Sequence, residues 1–125
     1  MTIKTNRQLR QTYDEINSWY FEGTLPKVPI KFKSKRGRLA DTTFEKIKGR
    51  YIAKKITIDK KMKRSSRTTL LSLIHEMMHV KLTHGITNKK RIIHCKIPGI
   101  KQQNTHPWAM EVRRLAKAGL FDWLI

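Results

Sequence analysis

The run His75-Glu76-Met77-Met78-His79 carries the side chains in this sequence that are best suited to chemistry. Residues four apart lie on one face of a helix, so both imidazoles project toward the same point. Two nitrogens placed in this way can occupy two corners of a tetrahedral zinc site. Glu76 follows the first histidine and can reach a zinc-bound water without being a ligand itself. This HExxH pattern predicts metal-assisted peptide hydrolysis, with Glu76 as the general base.

A structural interpretation of the motif competes with the catalytic one. In that interpretation, His75 and His79 are hydrogen-bonded structural residues and Glu76 pairs with a surface lysine. The apolar residues around the motif occupy more than one helical face, which indicates a largely buried helix. Two histidines and a glutamate are costly to bury without partners, and the metal site is therefore favoured.

A third ligand must come from outside the motif, because catalytic zinc sites use three protein ligands and keep one position for water. The candidates are His84, His94, Cys95, His106 and Glu111. His84 is five positions past His79 in a continuing helix, which turns it away from the ligand face. His106 is favoured because it starts a predicted helix, where a side chain can be held rigidly. His94 and Cys95, in a basic loop, remain open alternatives.

Hydrophobic periodicity predicts the elements that position these side chains. We expect helices over residues 5–21 and 66–84 and from about 106 onward. Strands are expected over 28–34 and 51–59, with a weaker strand pattern over 39–47. The segments between them should include a basic loop over 60–64 and an irregular basic loop over 87–105. These elements predict a single α+β domain over residues 1–125, with three helices packed on a small three-stranded sheet. The active-site cleft should lie between the sheet edge and the central helix.

The charge balance is strongly basic. Lys and Arg total 28 against 9 Asp and Glu, so the formal net charge is +19. An excess of this size attracts polyanions, and it predicts nucleic acid, most readily DNA, as a sequence-independent partner. Lys35, Arg36 and Arg38 are the candidate contact residues. The competing interpretation is a solvated basic surface, and a membrane partner is disfavoured because no amphipathic helix gathers the cations.

The cysteine content and the apolar runs bear on the cellular compartment. Cys95 is the single cysteine, which excludes an intrachain disulfide and a four-cysteine zinc ribbon. We find no secretory signal pattern at the start of the sequence and no apolar run of the roughly 20 residues that a membrane span needs. An intracellular protein, in the cytoplasm or nucleoid and compatible with a phage origin, is expected.

Several segments, taken in order, resemble the SprT-like, or Spartan-type, metallopeptidase domain. The similar segments are residues 16–26 with their Phe21-Glu22-Gly23-Thr24-Leu25-Pro26 turn, the strand Ile56-Thr57-Ile58, the helix of residues 70–80 with the histidine motif, and Thr105-His106-Pro107-Trp108. The resemblance covers roughly residues 10–117. Pro107 departs from it, since a glycine would be expected after the third histidine.

This resemblance implies a zincin-like fold, with zinc bound by His75, His79 and His106 and with Glu76 as catalytic base. It further implies a DNA-associated endopeptidase that acts on DNA-bound or crosslinked proteins. Two other functions stay open. One is a basic nucleic-acid-binding or inhibitory module with structural zinc and no significant proteolysis. The other is a protease or toxin directed at one host protein.

Overall fold

Three helices and a three-stranded sheet form the part of the chain that the computed structural model describes, which is residues 2–88, 95 and 106–124. The elements are α1 (Asn6–Tyr20), β1 (Ile30–Lys33), β2 (Ala40–Ile47), β3 (Arg50–Asp59), α2 (Ser66–Thr83) and α3 (Pro107–Lys117), with short 3-10 helices at Lys60–Arg64 and Leu120–Leu124. The predicted α+β class is confirmed at this level. The predicted loop over 87–105, which includes His94, lies outside the described residues except for 87, 88 and 95.

Helix α1 agrees with the predicted helix over 5–21 within one residue at each end, and it begins at a capping box. The Thr5 side chain accepts from the backbone N–H of Gln8, and the Gln8 side chain accepts from the backbone N–H of Thr5. This reciprocal pair satisfies two N–H groups that have no partner within the helix. Leu9, Tyr13 and Ile16 form the buried stripe, and the Tyr13 hydroxyl donates to the Pro26 carbonyl at 2.6 Å. The segment that leads to β1 is thereby fixed against α1.

The sheet has the strand order β1-β3-β2, with β1 parallel and β2 antiparallel to β3. The weaker strand pattern over 39–47 is therefore a real strand, and it lies at an edge of the sheet. A register shift near Thr43 and Phe44 marks a bulge in the β2–β3 pairing. The apolar face, with Phe32, Ile56 and Ile58 buried, packs against the helices.

The predicted loop over 60–64 is wrong in part, because Lys60–Arg64 forms a 3-10 helix. The Asp59 side chain accepts from the Lys61 N–H and caps the turn at its start. Met62 is buried in the core, and its carbonyl accepts from the Thr69 hydroxyl at 2.6 Å. The buried Met62 side chain and the Asp59 cap therefore hold this basic segment in a 3-10 helix that leads into α2.

Helix α2 occupies the centre of the fold and matches the predicted helix over 66–84 within one residue at its end. The Ser65 side chain caps it by accepting from the Thr68 N–H. Buried residues lie around most of the helix, as expected for an element covered by the sheet on one side and by α3 on the other. Gly85 ends it with a φ of 86°, a left-handed conformation that favours glycine.

Helix α3 is joined to the other two helices by a buried carboxylate. Glu111 accepts hydrogen bonds from Lys81 of α2 at 2.6 Å and from Arg114 at 2.6 and 2.9 Å. Arg114 also donates to the carbonyl of Tyr20, the last residue of α1. The middle of α3 is thus held beside α2. Among the described helices, none combines the length and the apolar character that crossing a membrane would require.

Candidate metal centre and catalytic cleft

His75 and His79 lie side by side on one face of α2, as their spacing predicts. Their ring centroids are 4.9 Å apart and the rings meet edge to face at 68°. Both side chains are partly exposed. Burial lowers the pKa of His75, which favours the neutral ring that can bind a metal. The motif therefore presents two imidazoles from a single turn of a rigid helix.

Trp108 covers both imidazoles from the side of α3. Its ring centroid lies 4.8 Å from that of His75 and 4.8 Å from that of His79, and the side chain is buried. The apolar stripe of α3 indicates that Trp108 is buried, but it does not indicate what the indole contacts. Contact with both histidines depends on how α3 packs on α2, which sequence spacing does not report.

Three donor side chains converge near the two rings. Ligand atoms of His75, His79 and Cys95 all lie within 4.8 Å of one another, and the cluster could hold a metal ion. Donor atoms on one tetrahedral zinc are roughly 3.5 Å apart, given zinc–nitrogen and zinc–sulfur bonds of about 2.0–2.3 Å. Small side-chain rotations would bring the three donor atoms to the spacing that a zinc ion requires. Two imidazoles and a thiol are donors that suit zinc.

The remaining third-ligand candidates have other roles in the part of the chain that the structure describes. His106 is the N-cap of α3, where its Nδ1 accepts from the Trp108 N–H at 3.2 Å. His84 Nδ1 accepts from the Ala53 N–H at 3.1 Å. Glu111 is held by two cations. His106 as a ligand stays a prediction, and His94 lies outside the described residues.

Glu76 is buried beside the histidines, and β2 fixes its carboxylate. The side chain is 5% exposed, and its Oε1 accepts a hydrogen bond of 2.9 Å from the Thr42 hydroxyl. Burial raises the pKa of Glu76 to about 7, and the nearby charge of Asp41 acts in the same direction. The hydrogen bond from Thr42 and the charge of Lys35 oppose that rise. A carboxylate with a pKa in this range suits a general base near neutral pH.

Two adjoining depressions meet at His75 and Glu76, between β2 and α2. The larger, of about 460 Å³, is also lined by Phe44, Tyr51 and Thr83. The other, of about 420 Å³, has a more apolar wall that includes Leu39 and Leu71. Both of these leucines are exposed, at 60% and 45%. The depressions form a cleft along the edge strand with the candidate base in the middle.

The three basic residues chosen from the sequence differ in their surroundings. Lys35 is largely buried, and its Nζ forms an ion pair with Asp41 and donates to the Thr57 hydroxyl at 3.0 Å. That pair holds the pKa of Asp41 below its usual range, against the effect of burial. Arg36 and Arg38 are exposed, and Arg38 lines both depressions of the cleft. Lys35 thus stabilises the sheet through these two contacts, whereas the two arginines are exposed to solvent.

Comparisons of the chain with models of protein families, with curated proteins and with solved structures found no match.

Proposed function

We propose that this protein is a zinc-dependent endopeptidase whose active site is built on α2. The observation that carries the proposal is the position of Glu76. It is a buried carboxylate, it is held by Thr42, and it opens into a cleft next to two imidazoles on the same helical turn. A purely structural glutamate would more often be paired with a cation, and Glu76 has a hydroxyl as its partner.

The chemistry divides between a bound metal and the residues around it. Zinc bound here would polarise the scissile carbonyl and lower the pKa of a water to roughly 7. Glu76 accepts a proton from the attacking water and delivers it to the leaving amine. Thr42 keeps Oε1 of Glu76 in one position during both transfers. Trp108 shields one side of the imidazoles and holds their rings toward the cleft.

The substrate would enter as an extended segment along β2. This strand has β3 on one side only, so its other edge offers unpaired backbone groups in the described part of the chain. A peptide added there as a further strand would run past His75 and Glu76. The exposed Leu39 and Leu71 would accept an apolar side chain next to the scissile bond, and Arg38 an acidic or carbonyl group.

The third ligand has two candidates with different support. Cys95 is close to both histidines in the structure. His106 is the residue that sequence position and the resemblance to SprT-like peptidases favour, and its Nε2 is not used by the helix cap. Either residue would complete a site with three protein ligands and one position for water. The zincin-like fold and an action on DNA-bound proteins belong to this same proposal.

Proteolysis by matched variants tests the proposed activity. Zinc-loaded wild type should cleave an unstructured basic protein, chelation should abolish cleavage, and zinc should restore it. Glu76→Gln should retain the fold and lose activity by about a thousandfold or more, since proton transfer and its positioning are removed together. Equal cleavage by wild type and Glu76→Gln would contradict the proposal. Zinc binding without cleavage by wild type would favour the nucleic-acid-binding module.

A further inference from the structure

The two faces of the sheet differ in charge. In β1, Ile30 and Phe32 are buried against the helices, while Lys31 and Lys33 alternate with them and face solvent. Lys55 of β3 is exposed too, and the register places it on the same side as Lys31. Residues that pair across strands project from the same face, so these lysines belong to one surface.

These three lysines are not neutralised by the acidic residues that share their face. Asp41 is engaged by Lys35, and Glu45 pairs with Lys54 at 3.2 Å. Asp59 is buried and accepts from the Lys61 N–H. Lys31, Lys33 and Lys55 form no ion pair with any residue that the structure describes. We define Lys31, Lys33 and Lys55 as the sheet-face lysines.

The register sets the spacing of the sheet-face lysines. Lys31 lies opposite Thr57 and Lys33 opposite Asp59, so Lys33, Lys31 and Lys55 follow one another at two-residue steps along the sheet. With a rise of about 3.3 Å per residue and strands about 4.8 Å apart, the row is on the order of 14 Å long. A single polyanionic chain can contact all three ammonium groups at once.

A groove of about 600 Å³ crosses the three strands at one end of this row. Its apolar lining comes from Pro29, Ile30 and Phe44, and its charged lining comes from Lys31, Lys55 and the ion pair between Lys54 and Glu45. Lysines next to apolar residues suit an unpaired strand, whose phosphates meet the lysines and whose bases and sugars meet apolar side chains. A duplex keeps its bases stacked inside and offers only the phosphates.

We propose that this face of the sheet binds single-stranded nucleic acid through its phosphodiester backbone, with the sheet-face lysines as the main contacts. These contact residues differ from those chosen from the sequence, because Lys35 forms an ion pair with Asp41. Phe44 also lines the catalytic cleft, so a bound strand would pass beside the β2 wall of that cleft. The surface would bind nucleic acid whether or not the cleft hydrolyses peptides.

Binding of a labelled 20-nucleotide oligothymidine at several salt concentrations tests this proposal. The variant Lys31→Glu/Lys33→Glu/Lys55→Glu should weaken binding at least tenfold near physiological salt. It should also lower the slope of log affinity against log salt by about 2, at roughly 0.7 per phosphate contact for single strands. The conservative variant Lys31→Arg/Lys33→Arg/Lys55→Arg should bind like wild type. Circular dichroism establishes that all proteins are folded.

A control with the same loss of charge separates a specific face from general attraction. Arg7→Glu/Arg67→Glu/Lys117→Glu alters three exposed residues of the helices and should lower affinity by less than threefold. Equal losses in the two triple-glutamate variants would overturn the proposal, since net charge alone would then explain binding. A 20-base-pair duplex that binds wild type as tightly as the single strand would overturn the preference for unpaired strands.

Discussion

The hydroxyl of Thr42, on the edge strand β2, donates a hydrogen bond of 2.9 Å to Oε1 of Glu76, on the central helix α2. The two residues are 34 positions apart, so the contact exists only because α2 packs across the sheet. Glu76 also lines both depressions of the cleft. The strand that would bind the substrate therefore also orients the proposed base.

Removing the Thr42 hydroxyl should slow catalysis without removing the base. Thr42→Val keeps the shape of the side chain, and we expect kcat to fall roughly tenfold, because a hydrogen bond to a charged group contributes about 1.5–3 kcal/mol. That bond lowers the pKa of Glu76, so the variant should have a higher pKa still. The acid limb of the profile of kcat against pH should shift to higher pH.

Two further variants serve as controls for the Thr42 experiment. Thr42→Ser keeps the hydroxyl and should retain most of the activity and the wild-type pH profile. Thr43→Val alters the exposed neighbour on the other face of β2 and should have little effect. A Thr42→Val enzyme with an unchanged kcat and pH profile would show that the hydrogen bond does not serve the reaction.

The contact of Trp108 with both imidazoles should support metal binding. Trp108→Ala should lower the free energy of unfolding by about 3–5 kcal/mol and weaken zinc affinity roughly tenfold or more. Competition with a chromogenic chelator, at a temperature where the variants are folded, measures the affinity. Leu115→Ala is the matched control, since it opens a cavity in the same helix away from the histidines. If both variants bind zinc equally, the indole has only a packing role.

Cobalt substitution decides the third ligand. If Cys95 completes the site, the cobalt-loaded protein should show thiolate-to-cobalt charge-transfer absorption that Cys95→Ser lacks. His106→Asn should then bind cobalt normally, because asparagine preserves the cap of α3 and only a ligand role is lost. The absence of that absorption, together with weak binding by His106→Asn, would instead establish the histidine predicted from the sequence.

The Glu111 side chain should make a pH-dependent contribution to the free energy of unfolding. The hydrogen bonds from Arg114 and Lys81 hold its pKa below the usual 4.5, against the effect of burial. A carboxylate with a lowered pKa stabilises the fold fully above its unfolded value, and the effect is lost as pH falls through the folded value. Glu111→Gln should therefore cost about 2 kcal/mol at pH 7 and progressively less below pH 4.5.

Urea unfolding at pH 7, 5 and 3 measures this contribution of Glu111. Asp14→Asn provides the control, because Asp14 forms an exposed ion pair with Arg10 at 3.4 Å and should contribute less than about 1 kcal/mol. A gap between wild type and Glu111→Gln that is the same at pH 3 and pH 7 would assign the effect to side-chain packing instead of charge.

Local patterns were sufficient for most of the fold. The apolar stripe of α1, the serine that caps α2 and Pro107 at the start of α3 mark those elements within one or two residues. The strand over 39–47 was less distinct because β2 is an edge strand with polar residues on both faces. The 3-10 helix at Lys60–Arg64 was missed because five mostly basic residues carry no periodic signal.

The site was predictable only where it depends on helical spacing. His75, Glu76 and His79 share one turn of α2, so their arrangement follows from the helix alone. The contact of Glu76 with Thr42, the cover of Trp108 and the approach of Cys95 depend on packing between distant segments. Lys35 illustrates the same limit, since its charge is visible in the sequence and its partner Asp41 is set by the fold.

The zinc content of four purified proteins tests most directly whether α2 presents two imidazoles to a metal ion beside a carboxylate that is not itself a ligand. Mass spectrometry of the metal after zinc loading and dialysis should give about one zinc per chain for wild type and for Glu76→Gln. His75→Ala and His79→Ala should give close to none, while circular dichroism shows that they remain folded. Zinc absent from wild type, or undiminished in both histidine variants, would contradict the proposed site.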